Sequence, residues 1–303
     1  MRRKEISTFF EFQEEFSTEE ACARYFYKLR WPEGFNCPKC GHGDAYELPR
    51  RKLQQCKGCG YQVSLTAGTI MHGTHLGFRH WFWAFYLMST SKHGISALEL
   101  QHQLAIGSYR TSWLLCQKVR KAMEGIGEDV LKGIVEVDDA YIGAPEPGLR
   151  GRKTRKKATI VIAVESKGTH AGKAGIDVVR DASSESLTTF VAGHVRTGSF
   201  VKTDQWKGYS SLDVEGYKHV PPEAPTCENS YKSLPWSHLL ISNLKAWLIG
   251  TFHGVRRQYL QNYLNEFVFR FNRRFSNRTV FTSLLFAGIN AKTVTYKMLC
   301  LAE

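Results

Sequence analysis

Apolar residues recur at helical spacing over residues 1–30 and again over 78–123, and change to strand-like runs beyond about residue 130. In STEEACARYFYKLR, Ser17 stands where a helix cap belongs and Glu19 and Glu20 fall in the first turn, so residues 1–30 are predicted to be helical. The stretch FRHWFWAFYLMS predicts an aromatic-rich buried helix. After it, GISALELQHQLAIGSYRTSWLLCQKVRKAM reads as two amphipathic segments joined by a short turn at Ile106–Ser108, the rhythm of a helix-turn-helix. The period then shortens. GIVEVDDAYIG, KATIVIAVES, GIDVVRDAS and GSFVKTD read as Val- and Ile-rich strands, with a helix, SESLTTFVAGHV, between the third and fourth. One insert, AYIGAPEPGLRGRKTRKK, separates the first two strands. It is Gly- and Pro-rich, then basic through Arg150, Arg152, Lys153, Arg155, Lys156 and Lys157.

Among 303 residues, hydrophobic types make up 43% and aromatics 13%, which excludes a disordered chain and allows two or three domains with their own cores. No apolar run approaches the roughly 20 residues of a membrane span. MRRKEISTFFEFQEEF carries acidic residues and no apolar core, so the expectation is a cytoplasmic protein without a signal peptide. The net charge of +13 favours polyanions, nucleic acid first and an anionic membrane surface second.

Four of the eight cysteines fall in two tight pairs, Cys37-Pro-Lys-Cys40 and Cys56-Lys-Gly-Cys59, with 15 residues between them. Each C-x2-C turn supplies two thiolates to one point, and tetrahedral Zn2+ takes four. Gly41, Gly58 and Gly60 suit the tight turns of a zinc ribbon. His42 is surplus to a complete four-thiolate site, which has no open position for chemistry. Cys22, Cys116, Cys227 and Cys300 are scattered, as in a reducing compartment. The second helix-turn-helix segment carries Arg110, Lys118, Arg120 and Lys121, which fits either a phosphate-contacting helix or an ordinary helix pair. These features divide the chain into an N-terminal helix (1–30), a zinc ribbon (31–70), a helical region (71–128) and an α/β domain with a helical C-terminus (129–303).

Asp138 closes the strand GIVEVD, and Asp204 closes GSFVKTD. A carboxylate at the end of a buried strand needs a cation or a helix N-terminus to neutralise it. Two from neighbouring strands suit Mg2+, and a pair of ions about 3.5–4 Å apart can activate water and stabilise a leaving oxygen in phosphodiester chemistry. Capping of turns at strand ends accounts for two such aspartates equally well.

In EEACARYFYKLRWPEGFNCPKCG, QCKGCGYQVSLTAGTIM, VEVDDAYIG, VKTDQWKGY and SNLKAWLIGTFHGV followed by LQNYLNEFVFRFNRR, the chain resembles the DDE transposases of bacterial insertion sequences, in particular those with an N-terminal zinc ribbon and a ribonuclease-H-like catalytic domain. The resemblance runs from about residue 18 to 285. It implies that Asp138 and Asp204 are the first two acids of the catalytic set and hold Mg2+ or Mn2+. Asp139 ranks second to Asp138, because it points to the opposite strand face. The third member is implied on a later helix, usually Glu or Asn with Lys seven residues further. Here His238 lies 34 residues after Asp204 and Lys245 seven after His238. Asn243, offset from His238 by about 140° on a helix, and Glu266, in the next helix, are the alternatives. An imidazole is softer than a carboxylate and suits Mn2+ or Zn2+ better than Mg2+.

The resemblance further implies DNA as partner, both the element's ends and the target, and a homo-oligomer assembled on it in the cytoplasm, on the nucleoid. Lys245, Lys207, Arg152 and Lys153 are expected against phosphates. Arg270 and Arg273 fit phosphate contact or, for Arg270, an internal pair with Glu266. A transposase that has lost activity and only binds DNA, and a ribonuclease-H-like nuclease without strand transfer, are the other readings of these features.

Overall fold

The computed structural model describes residues 6, 8–125, 130–144, 146, 156–220, 233–276 and 279–300. It divides into two compact units: Met1–Met123 with Ser276–Ala302, and Glu124–Phe275.

In the first unit, α1 (Phe9–Glu15) opens on a reciprocal cap in which Glu11 N–H donates to the Thr8 hydroxyl and Thr8 N–H donates to the Glu11 carboxylate. The helix α2 (Glu19–Arg30) is capped by Thr18 rather than Ser17, because the chain enters the helix one residue later than expected. A three-stranded antiparallel ribbon follows: β1 (Ala45–Leu48), β2 (Leu53–Cys56) and β3 (Gln62–Ser64). Its small core is Trp31, Phe35, Cys37, Cys56 and Val63. The next helix, α3 (Phe78–Thr90), begins at Gly77, which has no side chain to cap it. Glu19 serves instead, its carboxylate accepting the Phe78 and Arg79 N–H groups at 2.6 and 3.0 Å.

The expected helix pair is present as α4 (Ala97–Gln103) and α5 (Tyr109–Ala122), tied by the Ser112 hydroxyl donating to Ala97 O at 2.7 Å. Its charge is not where the sequence suggested. Lys118 and Arg120 are buried. The Lys118 ammonium donates to His72 O at 3.0 Å, and burial pulls its pKa down. From Leu115 to Arg120 every residue of α5 is buried, whichever way it faces, so of the four basic residues only Arg110 is exposed, stacked 4.1 Å over the Tyr296 ring. Two C-terminal helices, α9 (Val280–Asn290) and α10 (Tyr296–Cys300), lie in this unit and not at the tail of the α/β domain. Aromatic packing draws α9 there: Phe281 meets Phe12 edge-on at 5.2 Å, and Phe12 stacks on Tyr86 at 4.3 Å.

The second unit is a five-stranded mixed sheet in the order β6-β5-β4-β7-β8. It comprises β4 (Ile134–Ile142), β5 (Ala158–Ser166), β6 (Ala171–Val179), β7 (Phe200–Lys202) and β8 (Lys218–Val220). The first three pair antiparallel, and β4–β7 and β7–β8 pair parallel. β5 is buried on both faces, which is why IVIAV is continuously apolar. Val161 and Ala163 face α6 (Ser184–His194) through Leu187, Phe190 and Val191. Ile160, Ile162 and Val164 face α7 (Pro235–Phe252) and α8 (Leu260–Asn272) through Leu240, Leu244, Leu248 and Leu264. This is the ribonuclease-H-like arrangement that the resemblance implied. Two details differ from the sequence reading: β6 starts several residues early, and the short, half-polar β8 was not foreseen.

Replacing Glu19 by Ala removes the carboxylate that caps α3 and is expected to cost about 1 kcal/mol of stability. Urea unfolding should show a lower midpoint for Glu19→Ala than for wild type, and an unchanged midpoint would contradict the assignment.

Candidate metal centres and active site

Four sulfurs converge in the ribbon. The Sγ atoms of Cys37, Cys40, Cys56 and Cys59 lie within 4.8 Å of one another, with Cys37–Cys59 at 3.7 Å and Cys40–Cys56 at 3.6 Å. Tetrahedral zinc with bonds of about 2.3 Å separates its thiolates by about 3.8 Å, so the set fits Zn2+. Two equivalent turns create it. Gly41 N–H donates to Cys37 O and Gly60 N–H to Cys56 O, and both glycines take positive φ, 74° and 68°. Burial opposes ionisation of Cys37, but the Lys39 and Cys40 N–H groups outweigh it and bring the thiol down to about 7. At Cys40 the His42 N–H favours the thiolate, yet Cys59, burial and the other sulfurs push it up to about 12. The His42 ring packs where a Cβ on Gly58 would come within 3.1–3.4 Å of it, against the second turn.

The acid cluster is produced by strand register. The parallel β4–β7 ladder ends at Glu136 opposite Lys202, so two residues further Asp138 and Asp204 come level. Oxygens of Asp138, Asp139 and Asp204 lie within 4.8 Å of one another. Asp138 does not end its strand as expected, because β5 continues to pair with β4 as far as Ile142. Asp139 does not stay on the far face either. The pairing of β7 with β4 stops at Glu136, and an oxygen of Asp139 comes within 4.8 Å of those of the other two. Asp139 N–H donates to Asp138 Oδ1 at 2.9 Å, and Trp206 N–H to Asp204 Oδ1 at 3.0 Å, which fixes both carboxylates. Unit charges at such separations repel by on the order of 3 kcal/mol at an effective dielectric of about 20. An all-oxygen, mostly carboxylate set of this kind fits a hard divalent cation such as Mg2+ or Mn2+.

His238, in the first turns of α7, places Nε2 3.3 Å from Asp138 Oδ2. Its pKa is raised, first by that hydrogen bond; burial opposes the shift, and the charges of Asp138, Glu136 and Asp204 add to it. Asn243 is exposed. Glu266 is fully buried and pairs with Arg270 across 3.7 Å. Glu266 does not belong to the acid cluster among the described residues. Arg270 therefore takes the internal alternative, 5.6 Å over the Trp247 ring. Arg273 is half-buried, 4.4 Å over Phe269. Lys207 and Lys245 are exposed. Arg152 and Lys153 lie outside the described residues.

Sequence reading passed over Glu136. It is 2% exposed, and its Oε2 accepts the N–H groups of Trp236 at 2.8 Å and Ser237 at 3.0 Å. Burial pushes its carboxyl up, against the pull of those two N–H groups, Lys202 and His238. The signal was present in VEVDD: a charged residue two before Asp138, on the same inward face of a buried strand.

A four-thiolate ribbon, a helical region and a mixed sheet with clustered aspartates together define the architecture of a DDE transposase. Residues 17–62 match the transposase zinc-ribbon domain and residues 130–272 the ISXO2-like transposase domain. The chain belongs to this zinc-ribbon transposase family. Among solved structures it is similar to a Mos1 strand transfer complex (10% identity, TM-score 0.30) and a pre-cleavage Mos1 transpososome (9%, 0.27), each covering 71% of this chain and 79% of the other. Likeness at those scores decides nothing further. No curated protein matches. Among the described residues, no helix is long and apolar enough to cross a membrane.

Metal analysis of the purified protein should return about one zinc per chain, and Cys56→Ser should lose it along with the order of the ribbon. Iron in place of zinc, or full zinc retention by Cys56→Ser, would contradict the assignment.

Proposed function

We propose that this chain is an active DNA transposase that binds the terminal inverted repeats of an insertion sequence, cuts at their ends and joins them to target DNA. The observation that carries the proposal is the convergence of Asp138, Asp139 and Asp204 within 4.8 Å, with His238 on Asp138. Asp138 and Asp204 hold the divalent cations, and Asp139 adds a third carboxylate where the family usually has one on the later helix. Bound there, Mg2+ or Mn2+ supplies an activated water and a stabilised leaving oxygen. His238 donates to Asp138 and fixes the orientation of that carboxylate, as partners of metal ligands commonly do. Lys207 and Lys245, both exposed, take phosphates of the bound strand.

The chemistry is two in-line displacements. A water oxygen bonds to phosphorus as the bond to the 3′ oxygen breaks, freeing a 3′-hydroxyl. That hydroxyl then attacks a target phosphodiester at the same carboxylates, and the target's own 3′ oxygen leaves. The zinc ribbon and, on the α4–α5 pair, the exposed Arg110 provide the DNA-binding surface of the first unit, without the buried Lys118 and Arg120. Because two ends must be joined, the working form is a homo-oligomer on DNA.

On a labelled duplex carrying the element's ends, Asp138→Ala is expected to abolish cleavage and joining in Mg2+ or Mn2+. His238→Ala should lower both by about 10–100-fold, the range for groups that orient a metal ligand. Absence of cation-dependent cleavage in wild type would leave a DNA-binding protein. Cleavage without joined product would leave a nuclease, and full activity in His238→Ala would remove that residue from the set.

A further inference from the structure

Helix α7 carries His238 but contributes no cap of its own. Its first residue is Pro235, which has no N–H, and the side chain of the preceding Leu234 accepts no hydrogen bond. The next two N–H groups, of Trp236 and Ser237, need acceptors. Both go to one oxygen, Oε2 of Glu136, at 2.8 and 3.0 Å. The residue after them is His238, whose own N–H has entered the helix ladder by donating to Leu234 O at 3.2 Å. Glu136 and Asp138 are two apart on β4 and project from the same face of the strand. One carboxylate of that pair thus holds the start of the helix, and the other receives the first side chain that follows.

From this geometry we infer that Glu136 is a positioning residue: by gripping the N-terminus of α7 it sets the height and rotation of the helix, and so the placement of His238 Nε2 on Asp138. The nearest competing reading is that Glu136 is a further cation ligand. Its Oε2 is occupied by two N–H groups, and it is not among the acids that converge with Asp138, Asp139 and Asp204. A second competitor is that Glu136 acts only as a negative charge near the site. These separate experimentally, because a hydrogen-bonding role survives in an amide and a charge does not. The inference rests on the proposed site for its purpose, but not for its test.

The test uses the full chain with its zinc and without added divalent cation, with histidine side chains labelled with nitrogen-15. The hydrogen-bonded His238 imidazole is assigned by its loss in His238→Gln and its shift in Asp138→Asn. Glu136→Gln keeps the volume and an acceptor oxygen, and should keep the hydrogen-bonded His238 signal. Glu136→Met keeps the volume without an acceptor, and should return His238 to the signal of a solvent-exposed imidazole. Retention of the bonded signal in Glu136→Met would overturn the inference. So would its loss in Glu136→Gln, which decides the matter alone should the Met variant not fold. Failure of the transposase reading is read elsewhere, as absence of cation-dependent cleavage by wild type, and leaves these spectra unaffected.

Discussion

Parallel pairing of β4 with β7 is the constraint on which the site depends. It brings Asp138 and Asp204, 66 positions apart in sequence, level with each other. The ladder also has to stop where it does. If β7 ran two residues longer, Asp204 would lie within the sheet and Asp139 would be confined to the far face. The pairing ends at Glu136 and Lys202, and beyond it three carboxylates gather at one point, where only a cation or a proton relieves their mutual repulsion.

A second theme is the use of glutamate to tie distant backbone. Glu19 accepts two N–H groups at the start of α3, and Glu136 does the same for α7. Glu165, also buried, accepts the N–H groups of Lys132 and Lys173, each from a different segment. Each pairs an otherwise costly buried or half-buried charge with amide donors that would themselves be orphaned, so both requirements are met by one contact. At α7 the contact lies within a few residues of the acid cluster, so scaffold and site share hydrogen bonds.

Much of this was legible in the residues. The C-x2-C pairs specified the ribbon, and the change from helical spacing to Val- and Ile-rich runs located the sheet. Asp139 was misjudged because strict alternation assumes a strand with neighbours on both sides, and β4 loses one after Glu136. The basic residues of α5 fitted a phosphate-contacting set because charge in sequence says nothing of how deeply a helix is enclosed; α5 is buried all round from Leu115 to Arg120, which holds Lys118 and Arg120 inside the unit. Nothing local in VFTSLLFAGIN revealed that α9 packs with the first unit, since Phe281 finds Phe12 and Tyr86 only through tertiary folding. Glu136 went unread because a single charged residue in a buried strand does not say which helix will meet it.

The central claim is that the gathered aspartates share divalent cations. Crystals soaked in Mn2+ and measured at the manganese absorption edge test it directly. Anomalous density between the carboxylates of Asp138 and Asp204, lost in Asp204→Asn, is the result this account requires. An empty gap there at saturating Mn2+, with the three acids in place, would contradict it.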